Sequence, residues 1–236
     1  MITPLAYACP PLDNGHAQPK AFFILYIMKN RPNTSYTETP IRVAILIDGG
    51  YFIKRYNAMY NKSGNKTAST MANDLYTISH SHVGKNNYLY RIFYYDCVPF
   101  SKKVHNPISN KCIDFSKTEE ALYRNELINE LKKKRKLALR LGHIKESKRW
   151  MFYDNAMKKL LKKEISLDDI QDTDVYYELR QKGIDMKIGV DIASLALKGF
   201  VDKIVLISGD SDFVPAAKLA RREGIDFVLD PMHCEH

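Results

Sequence analysis

Two short apolar runs restrict the fold of this chain more than anything else in it. Residues 43–47 read Val-Ala-Ile-Leu-Ile and residues 203–207 read Lys-Ile-Val-Leu-Ile. Each stops abruptly on acid and glycine, as Asp48-Gly49-Gly50 and as Ser208-Gly209-Asp210-Ser211-Asp212. A strand without polar alternation has no face for water. It belongs in a parallel sheet covered by helices on both sides.

The remaining pattern agrees. Residues 51–60 are expected to be helical, and residues 61–70 (NKSGNKTAST) form a polar loop. Residues 88–95 (YLYRIFYY) are rich in strand formers and end on Asp96. Residues 97–118, with Pro99 and Pro107, read as irregular. Thr118-Glu119-Glu120 supplies a cap and early acids for a helix running to about residue 136. A second basic helix is expected over 154–163, with a hairpin between the two over 137–153. Strands at 175–179, 203–207 and 225–229 alternate with helices at 188–198 and 213–223, and Pro215 is tolerated in a first turn. Alternating β and α elements predict a three-layer α/β domain with a mostly parallel sheet.

Residues 1–40 differ. They carry six prolines (Pro4, Pro10, Pro11, Pro19, Pro32 and Pro40) without sustained periodicity, so a poorly ordered leader is expected there. Met28 is a candidate natural start of translation. The domain is expected over 41–236, with residues 97–163 as a basic helical insertion. A hydrophobic fraction of 45% with 11% aromatics excludes disorder for most of the chain. The longest apolar stretch, residues 21–28 (AFFILYIM), is far shorter than the roughly 20 residues of a membrane span. The four cysteines (Cys9, Cys97, Cys112, Cys234) form no CxxC pair and follow no secretory signal, so free thiols and a cytoplasmic location are expected. The ending Met232-His233-Cys234-Glu235-His236 reads as a tail rather than a zinc site.

Charge narrows the function. The net charge is +9. Residues 119–163 hold 14 Lys and Arg against 6 Asp and Glu, nearly the whole surplus. A block this local fits a polyanion such as nucleic acid, although a solvated helix face has the same composition. Lys132, Lys133, Lys134, Arg135, Lys136, Arg140, Lys148 and Arg149 are the candidate nucleic-acid contacts.

The acids then acquire meaning from topology. In open parallel sheets ligands bind beyond the carboxyl ends of the strands. Asp48 follows one buried strand, Asp210 and Asp212 follow another, and Asp191 lies in the first turns of the intervening helix. Each alone could be a helix cap. Two acids flanking one residue at a single turn exceed what capping needs. Together the four are candidate catalytic and metal-binding residues; clustered carboxylates repel unless a cation neutralises them. Oxygen-only ligation suits Mg²⁺ or Mn²⁺, which activates water for attack at phosphorus. Asp96, at a neighbouring strand end, and Ser208 are further candidates. A nucleophilic-Asp phosphatase is disfavoured because Gly50 stands where its second acid belongs. A receiver-like domain lacks its paired acids and late lysine, and no GxGxxG or GxxxxGK[ST] appears.

Three stretches carry a resemblance to a known family: residues 45–52 (ILIDGGYF), 181–191 (QKGIDMKIGVD) and 208–215 (SGDSDFVP). The chain resembles the NYN domains of the PIN-like nuclease superfamily, in particular the bacterial LabA-like group. The resemblance spans residues 42–229 and implies a PIN-like α/β sandwich acting as a metal-dependent ribonuclease. The family's metal-binding acids fall on Asp48, Asp191, Asp210 and Asp212, with Asp185 and Lys187 as second-tier residues. Tyr51 stands where many members carry Asn, and members tend to continue past the final strand whereas this chain stops at His236; a truncated chain would leave an edge of the sheet uncovered. RNA is the expected partner, a membrane is not, and a homo-oligomer is compatible with the sequence. An RNA-binding or adaptor module on the same fold, without turnover, is the alternative.

Overall fold

A computed structural model describes residues 39–62 and 64–232. The expected leader up to residue 38, the start at Met28, Cys9, and the tail from His233 with Cys234 lie outside the described residues. The domain opens with β1 (Arg42–Asp48), whose five central residues are fully buried, as expected of a strand with no polar alternation. Helix α1 (Gly49–Tyr60) and helix α2 (Ala68–Ser81) follow. Helix α2 begins inside the stretch expected to be a polar loop: it is capped by Thr67, which accepts the Thr70 amide at 3.2 Å, and it buries Met71, Ala72 and Leu75 along one stripe.

Strand β2 (Tyr88–Cys97) is followed by a small hairpin, β3 (Lys103–His105) and β4 (Cys112–Asp114), within the stretch expected to be irregular. Helix α3 (Glu119–Lys132) is capped by Thr118 as its sequence predicts. Residues 137–153 do not form a hairpin with themselves. They are one strand, β5 (Leu137–Phe152), whose second half pairs with β6 (Val175–Lys182), after helix α4 (Asp154–Leu161). Helix α5 (Ile184–Leu197), strand β7 (Lys203–Ile207), helix α6 (Val214–Arg222) and strand β8 (Asp226–Asp230) complete the domain.

The central sheet has six strands in the order β6-β5-β2-β1-β7-β8, parallel throughout except for β6 against β5. The α/β, mostly parallel architecture is therefore as expected. Residues 97–163, however, are not a helical insertion outside the sheet, because β5 is one of its central members. Side chains of β1 alternate between two cores. Val43, Ile45 and Ile47 pack with Phe52 and Tyr56 of α1, Met71 and Leu75 of α2, and Leu127 and Leu131 of α3. Ala44 and Leu46 pack with Ile188, Ile192 and Leu195 of α5 and Ala220 of α6. Burying each large apolar side chain stabilises the fold by about 1.5–3 kcal/mol, which fixes both layers onto the sheet.

Strand β5 does more than complete the sheet. It pairs with β2 only as far as Gly142, opposite Cys97, and then runs on with β6 as a two-stranded ribbon beyond the carboxyl ends of the parallel strands. The ribbon is braced in its outer half by an aromatic cluster in which Tyr177 lies 6.1 Å from Phe100, 6.0 Å from Phe115 and 5.5 Å from Trp150, centroid to centroid. Among the described residues no helix is long and apolar enough to cross a membrane. Cys97 is buried and Cys112 exposed, and both are free.

Candidate active site

Asp48 ends β1 and caps α1. Its Oδ1 accepts the Tyr51 amide at 3.1 Å, and its Oδ2 accepts the Ser208 hydroxyl at 3.4 Å. Ser208 is fully buried at the exit of β7. The turn after it is a relay of main-chain bonds: the Asp210 amide donates to Ser208 Oγ at 3.3 Å, and the Asp212 amide donates to Asp210 Oδ1 at 2.9 Å. Asp210 and Asp212 themselves are exposed.

The Asp48 carboxyl is held above the usual range, first by its burial and also by the nearby charge of Asp185; the amides of Tyr51 and Gly50 and the Ser208 hydroxyl pull the other way. Asp185 is placed by the start of α5, four residues earlier than the sequence predicts. Gly183, with φ of 83°, turns the chain from β6 into this helix in a conformation that favours glycine. The first turn of α5 thus stands beside the end of β1.

Asp191 lies lower on α5, and it is already engaged. Tyr95 donates its hydroxyl to Asp191 Oδ2 at 2.8 Å, and Arg140 Nε lies 3.0 Å from the same oxygen. Asp48, Tyr95 and Arg140 occupy one row across β1, β2 and β5. Burial and the Asp191 charge push the Tyr95 hydroxyl far above its ordinary range, so it remains a hydrogen-bond donor.

Asp96 points to the other layer. It is 2% exposed, accepts the Cys97 amide at 2.7 Å, and is paired with Arg124 of α3 at 2.9 Å. Burial raises its pKa and Arg124 opposes that shift. It is a buried structural ion pair, separated by the sheet from Tyr95 and Asp191.

The four acids expected to share an ion are therefore not gathered into one cluster. Among the described residues no three His, Cys, Asp or Glu side chains stand together closely enough to hold a metal. Asp48 has Asp185 as its charged neighbour, Asp191 is taken by Arg140, and Asp210 and Asp212 face outward. Lys187 lies within α5. The oxygen-only chemistry of the Asp48, Asp185 and Ser208 group does fit a hard divalent ion.

The basic block divides in two. Lys132 and Lys133 bond within α3 to Asn129 and Glu130, Lys134 reaches Asn73 of α2, and Arg135 is exposed in the turn that follows. Lys136 Nζ reaches the Leu89 carbonyl and lies 3.7 Å from the Tyr88 ring centroid, at the opening of β2. Tyr88 pairs with Arg42, at the opposite end of β1 from Asp48 and about 20 Å away along the strand. Lys148 and Arg149 are exposed on the ribbon, beyond the strand ends where Asp48 sits. Sequence order placed all of these together; only the second group shares the acids' side of the sheet.

Sequence reasoning missed Arg140 as the partner of Asp191, Tyr95 as its hydrogen-bond donor and Arg124 as the partner of Asp96. A weak signal existed for Tyr95. In a strand ending Tyr94-Tyr95-Asp96, alternation sends Tyr95 to the face opposite Asp96.

Tyr51 has a structural role here. Its hydroxyl donates to the Pro231 carbonyl at 2.7 Å, and a Cβ on Gly209 would run into its ring, 2.9 Å from Cζ. Tyrosine and glycine are fitted to one another across the exits of β1 and β7.

Comparison with known proteins adds the family. A crystal structure of a protein of unknown function from Vibrio parahaemolyticus aligns over 82% of this chain and 82% of its own, with 13% identity and a TM-score of 0.41. Among curated proteins none matches the chain. The NYN domain family matches residues 110–232, just over half of the sequence. That span contains Asp185, Asp191, Asp210 and Asp212, and it begins after β1 and Asp48. The chain belongs to the NYN domain family, within the PIN-like nuclease superfamily.

Proposed function

We propose that the protein is a divalent-metal-dependent ribonuclease whose centre is built on Asp48 and Asp185, with Asp191, Asp210 and Asp212 around them. One contrast carries this reading. Asp96 has Arg124 and Asp191 has Arg140, whereas Asp48 has only amides, a hydroxyl and a like charge for neighbours among the described residues. A half-buried carboxylate at a strand end beside another acid is an electrostatic deficit that a cation fills.

Asp48 and Asp185 would hold a Mg²⁺ or Mn²⁺ ion, which on binding supplies water activation and charge neutralisation at phosphorus. The chain's own residues do the rest. Ser208 orients the Asp48 carboxylate through its hydroxyl. Tyr95 and Arg140 hold Asp191 on the same side of the sheet as Asp48. The exposed Asp210 and Asp212 line the solvent side, and Lys145, Lys148 and Arg149 on the ribbon bind flanking phosphates of RNA.

Purified protein incubated with labelled single-stranded and structured RNA, with Mn²⁺, Mg²⁺ or EDTA, tests this. Cleavage that needs a metal and disappears in Asp48→Asn is the expected result. Binding without cleavage under every metal condition would instead establish the RNA-binding module. That second reading draws on one observation, the structural fixing of Tyr51 where many members carry Asn.

A further inference from the structure

Beyond the carboxyl end of β2, on the α3 side of the sheet, lies a cavity of about 330 Å³ between the root of the ribbon and the first turn of α3. Pro99, Phe100, Phe115, Arg124, Leu179 and Gln181 contribute to its lining. We propose that this cavity receives one unstacked base of the RNA and sets the nucleotide preference of the site. For its ligand class the inference rests on the RNA reading above.

The chemistry of the walls selects the occupant. Phe100 and Phe115 meet edge to face at 5.3 Å, and both pack against Tyr177, so the aromatic wall is rigid and costs little entropy to present. A phosphate would need a free cation at the floor. Arg124 is not one, since Asp96 at 2.9 Å and Glu120 at 3.2 Å both neutralise it. What remains is an apolar, aromatic slot with a planar guanidinium at its base and the amide of Gln181 at its side. Single-stranded RNA is read in this way, by stacking on aromatic or guanidinium planes and by hydrogen bonds to base edges.

Gln181 ties the slot to the acids. Asp48 Oδ1 and Gln181 Oε1 lie 3.6 and 4.0 Å from the point where a Cβ on Gly50 would stand. Gln181, on the cavity's wall, and Asp48 therefore face the same backbone position, Gly50. On this proposal a nucleotide whose phosphate lies at Asp48 places its base past Gln181 and into the cavity.

Trp150 is the only tryptophan and lies 5.5 Å from Tyr177, so its emission reports on the cluster that walls the pocket. The full chain is titrated with each of the four nucleoside 5′-monophosphates, and with ribose 5-phosphate as control, exciting at 295 nm. A saturable change with at least one base and none with ribose 5-phosphate is expected. Phe115→Ala should weaken that binding about 5- to 150-fold, the usual range for losing one base stack. Phe115→Leu, which keeps the apolar volume and so guards against unfolding, should weaken it too. No response to any base, or an equal response to ribose 5-phosphate, overturns the pocket.

Sequencing the ends cut from randomised single-stranded RNA separates this proposal from the ribonuclease reading. A base bias beside the cut that Phe115→Leu erases supports the pocket. Cleavage without bias and without monophosphate binding removes the pocket and leaves the nuclease standing. Monophosphate binding without cleavage removes the nuclease and leaves the pocket.

Discussion

Arg140 Nε sits 3.0 Å from Asp191 Oδ2, joining the first part of β5 to the third turn of α5 on the same side of the sheet as Asp48. The side chains are 45% and 19% exposed, so solvent weakens the pair. Its importance is positional: a fixed positive charge occupies one acid of the group and none occupies Asp48.

Arg140→Gln should therefore cost less than about 1 kcal/mol of stability. It should also tighten Mn²⁺ binding severalfold by freeing Asp191. Calorimetric titration of both proteins with Mn²⁺, alongside urea denaturation, checks the two effects separately. Unchanged Mn²⁺ affinity would mean that Asp191 takes no part in holding the ion.

The Asp48 carboxyl is raised in the folded state, which fixes the sign of its pH effect. Between its unfolded and folded pKa values the native state binds the extra proton, so its contribution to stability falls as pH rises through that window. Asp48→Asn keeps an oxygen for the Tyr51 amide and removes the charge. It should unfold at a higher temperature than the wild type at pH 7, gain nothing at a pH below the usual aspartate range, and lose cleavage. Thermal melts at both pH values, with and without Mg²⁺, test this; wild-type protein alone should be stabilised by the metal.

Gly209→Ala should destabilise by about 1–3 kcal/mol, the range for overpacking, because the new methyl runs into the Tyr51 ring. Adding Tyr51→Ala should recover part of that loss. A double-mutant cycle in urea measures the coupling.

Arg124→Met leaves the Asp96 carboxylate buried without its partner and should cost about 3–5 kcal/mol at neutral pH. The additional change Asp96→Asn should restore part of it. Denaturation midpoints of the single and double variants decide the matter.

The division of the basic block predicts a salt signature. Replacing Lys145, Lys148 and Arg149 together by Gln should flatten the dependence of RNA affinity on salt by about 0.7 in logarithmic slope for each phosphate no longer neutralised. Replacing Lys132 and Lys133 should leave the slope unchanged. Filter binding over a range of KCl concentrations distinguishes the two sets.

Local sequence determined a good deal of this protein. The apolar runs 43–47 and 203–207 are β1 and β7, buried as a strand without alternation must be. The acids and glycines after them are the turns at the carboxyl ends, because a buried run can stop only where the chain meets solvent or a helix cap. The three-layer α/β class follows from those runs and the helices between them. Thr118 caps α3 and Pro215 sits at the start of α6 for equally local reasons.

What only tertiary structure decided is which charge meets which. Arg140 finds Asp191 because β5 pairs in parallel with β2, and Arg124 finds Asp96 because α3 packs on the opposite face of the same strand. Asp185 comes to Asp48 because α5 begins at Ile184, directly beyond the turn at Gly183. The Lys132–Lys136 run is drawn toward the amino end of β2 by where α3 ends, while Lys148 and Arg149 are carried past the carboxyl ends by the ribbon. Electrostatic partners are set by distance in space, and strand pairing across many residues leaves no trace in local periodicity.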